Sequence, residues 1–212
     1  AGSTHTVLLK SNGTAVACGL NDEDQCQIPP LAAGVTYTYA AAGMHHTVLL
    51  KSDGTAVAFG SDTHCQCRIP SLPAGVKYIH AAAGKFHTVF VKDDGTAIAV
   101  GQSSQCSIPS LQPGICYTKA AAGYYHSILL MDDGTAVAFG SHPLASNLVS
   151  NIPALPTGVT YIQAAAGRYH TVLLRSDGSA VAVGLAPFLE CQCLIPPLPT
   201  GVTYTEVAAG HD

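Results

Sequence analysis

The 212-residue chain has no tryptophan, two methionines and only 10% charged residues, against roughly 25% in an average soluble domain. Nine lysines and arginines face thirteen aspartates and glutamates, a formal net charge of −4. Nothing in that balance draws the chain to a phosphate backbone, so no nucleic-acid partner is expected. No apolar run approaches the roughly 18 residues needed to cross a bilayer as a helix, and no membrane span is expected. Ser-His-Asp signatures, phosphate loops and dinucleotide fingerprints are also lacking. The first residue is Ala1 and no targeting segment is visible, which reads as a chain processed or cut from a longer array and leaves its compartment unassigned.

What the chain does have is 48% hydrophobic residues, largely alanine and valine, with 21 glycines and 13 prolines. One stretch returns four times almost unchanged: AAGMHHTVLLKSDGTAVAFG from residue 41, AAGKFHTVFVKDDGTAIAVG, AAGYYHSILLMDDGTAVAFG and AAGRYHTVLLRSDGSAVAVG. Its histidine falls at His5, His46, His87, His126 and His170, spaced 41, 41, 39 and 44 residues apart. A period near 40 with β-branched runs and glycine turns marks a β-propeller rather than a helical solenoid. The chain divides into repeats of about 2–42, 43–83, 84–122, 123–166 and 167–210, and reads as one propeller domain over 1–212.

Each repeat predicts four strands: one ending in Ala-Ala-Gly, one of the HTVLLK type, one of the TAVAFG type, and a short fourth at QCRI. The second and third are joined by Ser-Asp-Gly, Asp-Asp-Gly or Ser-Asn-Gly, hairpin turns that tolerate positive φ. The N-terminus enters at a second strand without a first, and GVTYTEVAAGHD supplies a first strand without a second. Pairing those two would close a ring of five blades and remove both open edges.

The pattern AAGxxHTVLLxxDGTAVAxG followed by QCxIP resembles the regulator-of-chromosome-condensation repeat, whose members form bladed β-propellers. The resemblance runs through all five units and is strongest at G-x-x-H-[ST] and D-G-[TS]-[AV]. It departs in number, since the best-known members of that family have seven blades. It implies a structural role for the five histidines, and the namesake's activity implies, as one alternative, a nucleotide-exchange regulator of a small GTPase.

A histidine once per blade is carried away from its equivalents by the ring, so five histidines do not assemble a metal site. The expectation is that each imidazole bonds the carbonyls of its own turn. Six acids, Asp53, Asp93, Asp94, Asp132, Asp133 and Asp177, fall in the hairpin turns, where aspartate is ordinary turn chemistry. The others form no pair of the kind a glycosidase uses, and the chain reads as non-enzymatic, without cofactor. Of eight cysteines, Cys65-Gln66-Cys67 and Cys191-Gln192-Cys193 are the best soft-metal candidates, yet neither completes a four-ligand set and no metal is assigned. Free buried thiols are expected, with Cys67 and Cys193 filling a core position shared with Cys26 and Cys106.

Two places differ from repeat to repeat. One is the pair after Ala-Ala-Gly: Ser3-Thr4, Met44-His45, Lys85-Phe86, Tyr124-Tyr125 and Arg168-Tyr169. The other is the loop after the third strand: LNDED, SDTH, QSS, SHPLASNLVS and LAPFLE. Alternating strand direction puts both on one face, where loops on a rigid scaffold gather binding residues. Tyr124, Tyr125, Leu144, Leu148, Arg168, Tyr169 and Phe188 are the candidate protein-binding residues, being of types that anchor interfaces or belong to an exposed apolar patch. The sequence therefore points to a protein-interaction module, a scaffold or accessory subunit of a larger assembly. A propeller lectin is the alternative from another class, although five equal sugar pockets need equal loops and these loops differ.

Overall fold

The computed structural model describes residues 1–140, 151–184 and 193–210. The described residues form fourteen strands and one short 3-10 turn, Ser103–Gln105. The first sheet pairs β1 (His5–Leu9) with β2 (Ala15–Gly19). Four three-stranded antiparallel sheets follow. These are β3 (Tyr37–Ala42), β4 (His46–Lys51) and β5 (Ala56–Gly60); β6 (Tyr78–Ala83), β7 (His87–Lys92) and β8 (Ala97–Gly101); β9 (Tyr117–Ala122), β10 (His126–Met131) and β11 (Ala136–Gly140); and β12 (Tyr161–Ala166), β13 (His170–Arg175) and β14 (Ala180–Gly184).

The expected fourth strand is absent among the described residues. QCxI forms a tight turn instead, because its glutamine is pulled inward. Gln25, Gln66 and Gln105 are buried, whereas the cysteine after each is only half-buried. Gln25 Oε1 accepts from the Glu23 amide and Gln66 Oε1 from the His64 amide, bonds a strand would not allow. The core position is thus the glutamine, not Cys26, Cys67 or Cys106. The seven described cysteines are free thiols, and Cys18 is exposed. Cys65 adopts φ 65°, so it does not share a strand face with Cys67; Cys191 lies outside the described residues.

The expected pairing of the C-terminal segment with the first sheet is not seen among the described residues, where 202–210 form no strand and β1 pairs with β2. The terminal segment is held otherwise: Tyr204 donates its amide to the Gly178 carbonyl at 2.9 Å, and Gln163 bonds both polar groups of the Val207 backbone. Leu8 and Val16 on the first sheet are 55% and 39% exposed.

The apolar layers lie between successive sheets. Val48 and Leu50 pack on Tyr78, Ala81 and Phe90 of the next sheet, and Ile128 and Leu130 on Tyr161 and Leu173. The HTVLLK strand is central in its sheet and sandwiched on both sides, which explains its near-continuous burial in β4, β7 and β10. Its innermost neighbour ends in three alanines because these strands converge on a common axis, where the Ala-Gly pairs of successive repeats line one cavity. Small side chains are what that convergence leaves room for.

Hairpin turns tie each sheet to the next. Asp53 Oδ1 accepts from the Thr55 amide and hydroxyl, Asp94 and Asp133 do the same with Thr96 and Thr135, and Asp177 accepts from the Ser179 amide. These bonds hold the Asp53, Asp94 and Asp177 carboxyls below the usual carboxylate range. The residue before each aspartate reaches across instead: Asp93 accepts from the Lys77 amide at 2.8 Å and Asp132 from the Cys116 amide at 2.9 Å. The turn glycine then accepts from the next strand's tyrosine amide, as Gly95 does from Tyr117 at 2.8 Å. Gly95 sits at φ +80°, and a Cβ there would lie 2.4 Å from Cys116 Sγ. The same tyrosine closes the Ile-Pro linker, its hydroxyl donating to the proline carbonyl eight residues back in all five repeats, at 2.7–2.9 Å.

The recurrent histidine does not bond its own turn, as the sequence suggested. It reaches into the next sheet. His5, His46 and His126 place Nε2 at 2.8, 2.9 and 2.7 Å from Thr47, Thr88 and Thr171 Oγ1, and His87 at 2.6 Å from Ser127 Oγ. Thr47 and Thr88 give their own protons to the carbonyls of Gln25 and Gln66, so each accepts from an imidazole Nε2–H. Imidazole, hydroxyl and glutamine carbonyl form one buried relay that staples consecutive sheets. Burial, with the neighbouring imidazoles adding to it, pushes His46 and His87 down to about 4 and about 3, and His126 likewise to about 4. The glycine three positions earlier is required by space rather than by φ. A Cβ on Gly84 would lie 2.4 Å from the His87 ring and 2.5 Å from the Gly123 carbonyl.

Candidate functional site

The same framework sets the variable pairs around the axis. Register couples His46 with Gly60 and His87 with Gly101, so each pair enters its strand beside the loop that leaves the neighbouring one. The Ser61 amide donates to the His45 carbonyl at 2.8 Å and Gln102 to that of Phe86 at 2.9 Å, fixing pair and loop on one side. The hairpin turns lie at the opposite ends of these strands. Around the axis, the Met44, Lys85 and Tyr124 amides donate to the carbonyls of Gly84, Gly123 and Gly167 at 3.1–3.2 Å. The first residue of each pair is thereby turned to the axis. Ser3, Met44, Lys85, Tyr124 and Arg168 all line a cavity of about 270 Å³ with the Ala-Gly backbone.

On this face the side chains of repeats 2 to 5 join in one aromatic and cationic string. His64 lies 4.3 Å from the Phe86 ring, Phe86 6.4 Å from Tyr124, Tyr124 4.7 Å from Tyr125, and Tyr125 stacks on Tyr169 at 6.1 Å. Lys85 Nζ sits 4.3 Å over Phe86 and 4.0 Å over Tyr124; Arg168 Cζ sits 4.9 Å from Tyr124 and 4.8 Å from Tyr169. All four distances are within the roughly 6 Å at which a cation feels a ring quadrupole. Tyr124 is buried under the two cations, while Lys85, Phe86, Tyr125, Arg168 and Tyr169 are half-buried. Burial, reinforced by Tyr169 and Tyr124, raises the Tyr125 hydroxyl, and Arg168 opposes that rise.

Of the predicted residues, Tyr124, Tyr125, Arg168 and Tyr169 are brought together. Leu144, Leu148 and Phe188 lie outside the described residues. Lys85, Phe86 and His64 belong to the same string and were missed as site residues. Phe86 and Lys85 were already marked by their place in a variable pair, but a patch chosen by the bulk of the repeat-4 and repeat-5 loops passed over them. A second cavity lies between sheets, lined by Tyr39, His80, Lys119 and Gln163 among others. There the Ala120 amide donates to His80 Nδ1 at 3.2 Å, so Nε2–H donates to Tyr39 Oη at 2.9 Å. Lys119 Nζ is taken up by the Ile162 carbonyl at 3.1 Å. Burial and then Lys119 push His80 down to about 4, and the group reads as an internal strut.

Comparison with known proteins agrees with the repeat. The model of the regulator of chromosome condensation (RCC1) repeat matches residues 117–142, from β9 through β11. Among solved structures, yeast RCC1 (Prp20) bound to Kap60 is similar with a TM-score of 0.78 at 22% identity, over 99% of this chain and 65% of that one. The ectodomain of the Physcomitrella patens receptor kinase CR4 gives 0.70 at 18% identity, over 99% of this chain and 55% of that one. Prp20p from Saccharomyces cerevisiae, a structure described together with its binding to Gsp1p and histones, gives 0.68 at 20%, over 86% and 56%. The chain thus spans less than two thirds of the length of each. A search of curated proteins finds no match. The fold is similar to that of these β-propellers, and residues 117–142 match the RCC1 repeat itself.

Proposed function

We propose that this chain, built of regulator-of-chromosome-condensation repeats, is a non-enzymatic module that binds a protein partner through its variable face. Its five sheets are read as successive blades of one domain, and the module as a scaffold or accessory subunit of a larger assembly. The observation that carries this reading is the coincidence of variation with a connected aromatic string. Positions that the framework leaves free hold Lys85, Phe86, Tyr124, Tyr125, Arg168 and Tyr169, within ring-contact distances of one another. Aromatics and arginine are the residues on which interface energy concentrates. The protein interactions described for the yeast Prp20 structures, with Kap60 and with Gsp1p and histones, are of the same class. A lectin is disfavoured because no two repeats offer the same pair. A nucleotide-exchange role rests on likeness of fold alone.

The test is retention of a partner from native extract by the tagged chain, with identification by mass spectrometry. Tyr125→Ser with Tyr169→Ser should lose the partner and keep the melting temperature within a few degrees. Asp94→Asn with Asp133→Asn, in the hairpin turns of the opposite face, should retain it. Loss in the second pair but not the first would move the interface to the other face.

A further inference from the structure

A third position changes in every repeat, two residues beyond the linker tyrosine: Tyr39, His80, Lys119, Gln163 and Glu206. The first four lie on the inner strands β3, β6, β9 and β12, near the ends that the hairpin turns hold. The variable pairs are at the opposite ends of those strands. All four line the second cavity, whose volume of about 430 Å³ falls within the roughly 300–1,000 Å³ of small-molecule sites. Its described lining contains no carboxylate, and Glu206 is exposed outside it.

Each of these side chains is engaged, and the bonds still leave capacity over. His80 Nδ1 accepts from the Ala120 amide and its Nε2–H donates to Tyr39 Oη, so the Tyr39 O–H is left to donate. Lys119 gives one N–H to the Ile162 carbonyl at 3.1 Å, and an ammonium has three. Gln163 gives one N–H of its amide to the Val207 carbonyl at 3.1 Å, while its Oε1 accepts from the Val207 amide at 3.2 Å. No acceptor among the described residues takes up the remaining donors of Tyr39, Lys119 and Gln163. The cavity therefore offers chiefly donors and one full positive charge.

That inventory selects a ligand. The Ala120 and Val207 amides are spent on His80 and Gln163, so they add no backbone nest for a phosphate. One ammonium is a compact point charge, and with neutral donors beside it the site suits one negative charge rather than two. The rest of the lining is largely apolar, with Leu130, Ile162 and Leu174 among it. We propose that this cavity binds a small monocarboxylate with an apolar body. The carboxylate sits on Lys119 Nζ within reach of the Tyr39 and Gln163 donors, and the body lies against the leucines.

The probes are hexanoate and 3-phenylpropanoate, titrated into the isotope-labelled chain, with 3-phenylpropanamide and inorganic phosphate as comparisons. At least one acid should give saturable shifts at the Ala120 and Ala164 amides and the Gln163 side chain, weakening with salt. The neutral amide should bind roughly tenfold or more weakly than its acid, as loss of a charge-assisted bond predicts. Lys119→Met should lower the acid's affinity by a similar factor and Lys119→Arg should retain most of it. Lys119 is exposed, so the methionine variant should fold; the comparison of acid with amide needs no variant at all. Absence of saturable shifts with both acids, equal binding of acid and amide, an unchanged affinity in Lys119→Met, or phosphate displacing the acid at equal concentration overturns the proposal. So do shifts confined to Gly84 and Gly123 at the other end of the inner strands.

Discussion

Lowering the pH should unfold this protein well above the range in which carboxylates titrate. His46, His87 and His126 are fully buried and held down to about 4, about 3 and about 4, first by burial. In the unfolded chain each returns to about 6.5. Between those values the unfolded state takes up protons that the folded state refuses. Their stabilisation is therefore complete above pH 6.5 and is lost as the pH falls toward 4. One proton is worth about 1.4 kcal/mol per pH unit, so three histidines give a slope of about 4 kcal/mol per unit. At pH 5 the loss reaches about 6 kcal/mol, comparable with the 5–15 kcal/mol that hold a typical domain together. His80, also pushed down to about 4, steepens the slope. The depressed aspartates act in the opposite window, losing their contribution only as the pH falls below about 4.

Urea unfolding followed by tyrosine fluorescence, at half-unit steps from pH 7.5 to 5, measures that slope directly. The expected profile is flat above pH 6.5 and falls by three to four protons' worth of slope below it. Replacing His87 by Gln should lower the stability at pH 7.5 and reduce the slope by about one proton. A stability that stays level from pH 6.5 to 5 would refute the buried relay of neutral imidazoles.

The remaining expectations follow from single contacts and are all read from melting or urea curves at neutral pH. Thr88→Val removes the hydroxyl that links His46 to the Gln66 carbonyl and should cost about 1–3 kcal/mol, the range for stranding buried polar groups, while Thr88→Ser should recover most of it. Gly95→Ala places a methyl against Cys116 at a φ of +80° and should cost upward of about 1 kcal/mol. Tyr117→Phe deletes one 2.7 Å bond to the Pro109 carbonyl and should cost about 0.5–1.5 kcal/mol.

The framework was legible because each of its residues answers to one local demand. Asp-Gly specifies the hairpin, alternation specifies the strands, and the period specifies stacking of like units. The fourth strand was misread because QCRI has strand-like composition, and nothing local reveals that Gln66 turns inward to satisfy the His64 amide. The partner of the histidine was misread for a related reason. Thr88 lies 42 residues from His46, so the bond exists only once two sheets are stacked, and the repeat hides it by supplying every histidine with an adjacent threonine or serine. That Thr-or-Ser constraint was visible in HT, HT, HT, HS and HT; what it was for was not. At the variable face the balance reverses. Comparing repeats exposed which positions the fold leaves free, but not that Lys85 and Arg168, 83 residues apart in sequence, meet over Tyr124. Three repeats must be stacked before residues from the third, fourth and fifth share a ring. A charge pair assembled in that way is selected by no blade on its own, and in a propeller whose blades are otherwise near-copies such a departure is where function has room to reside.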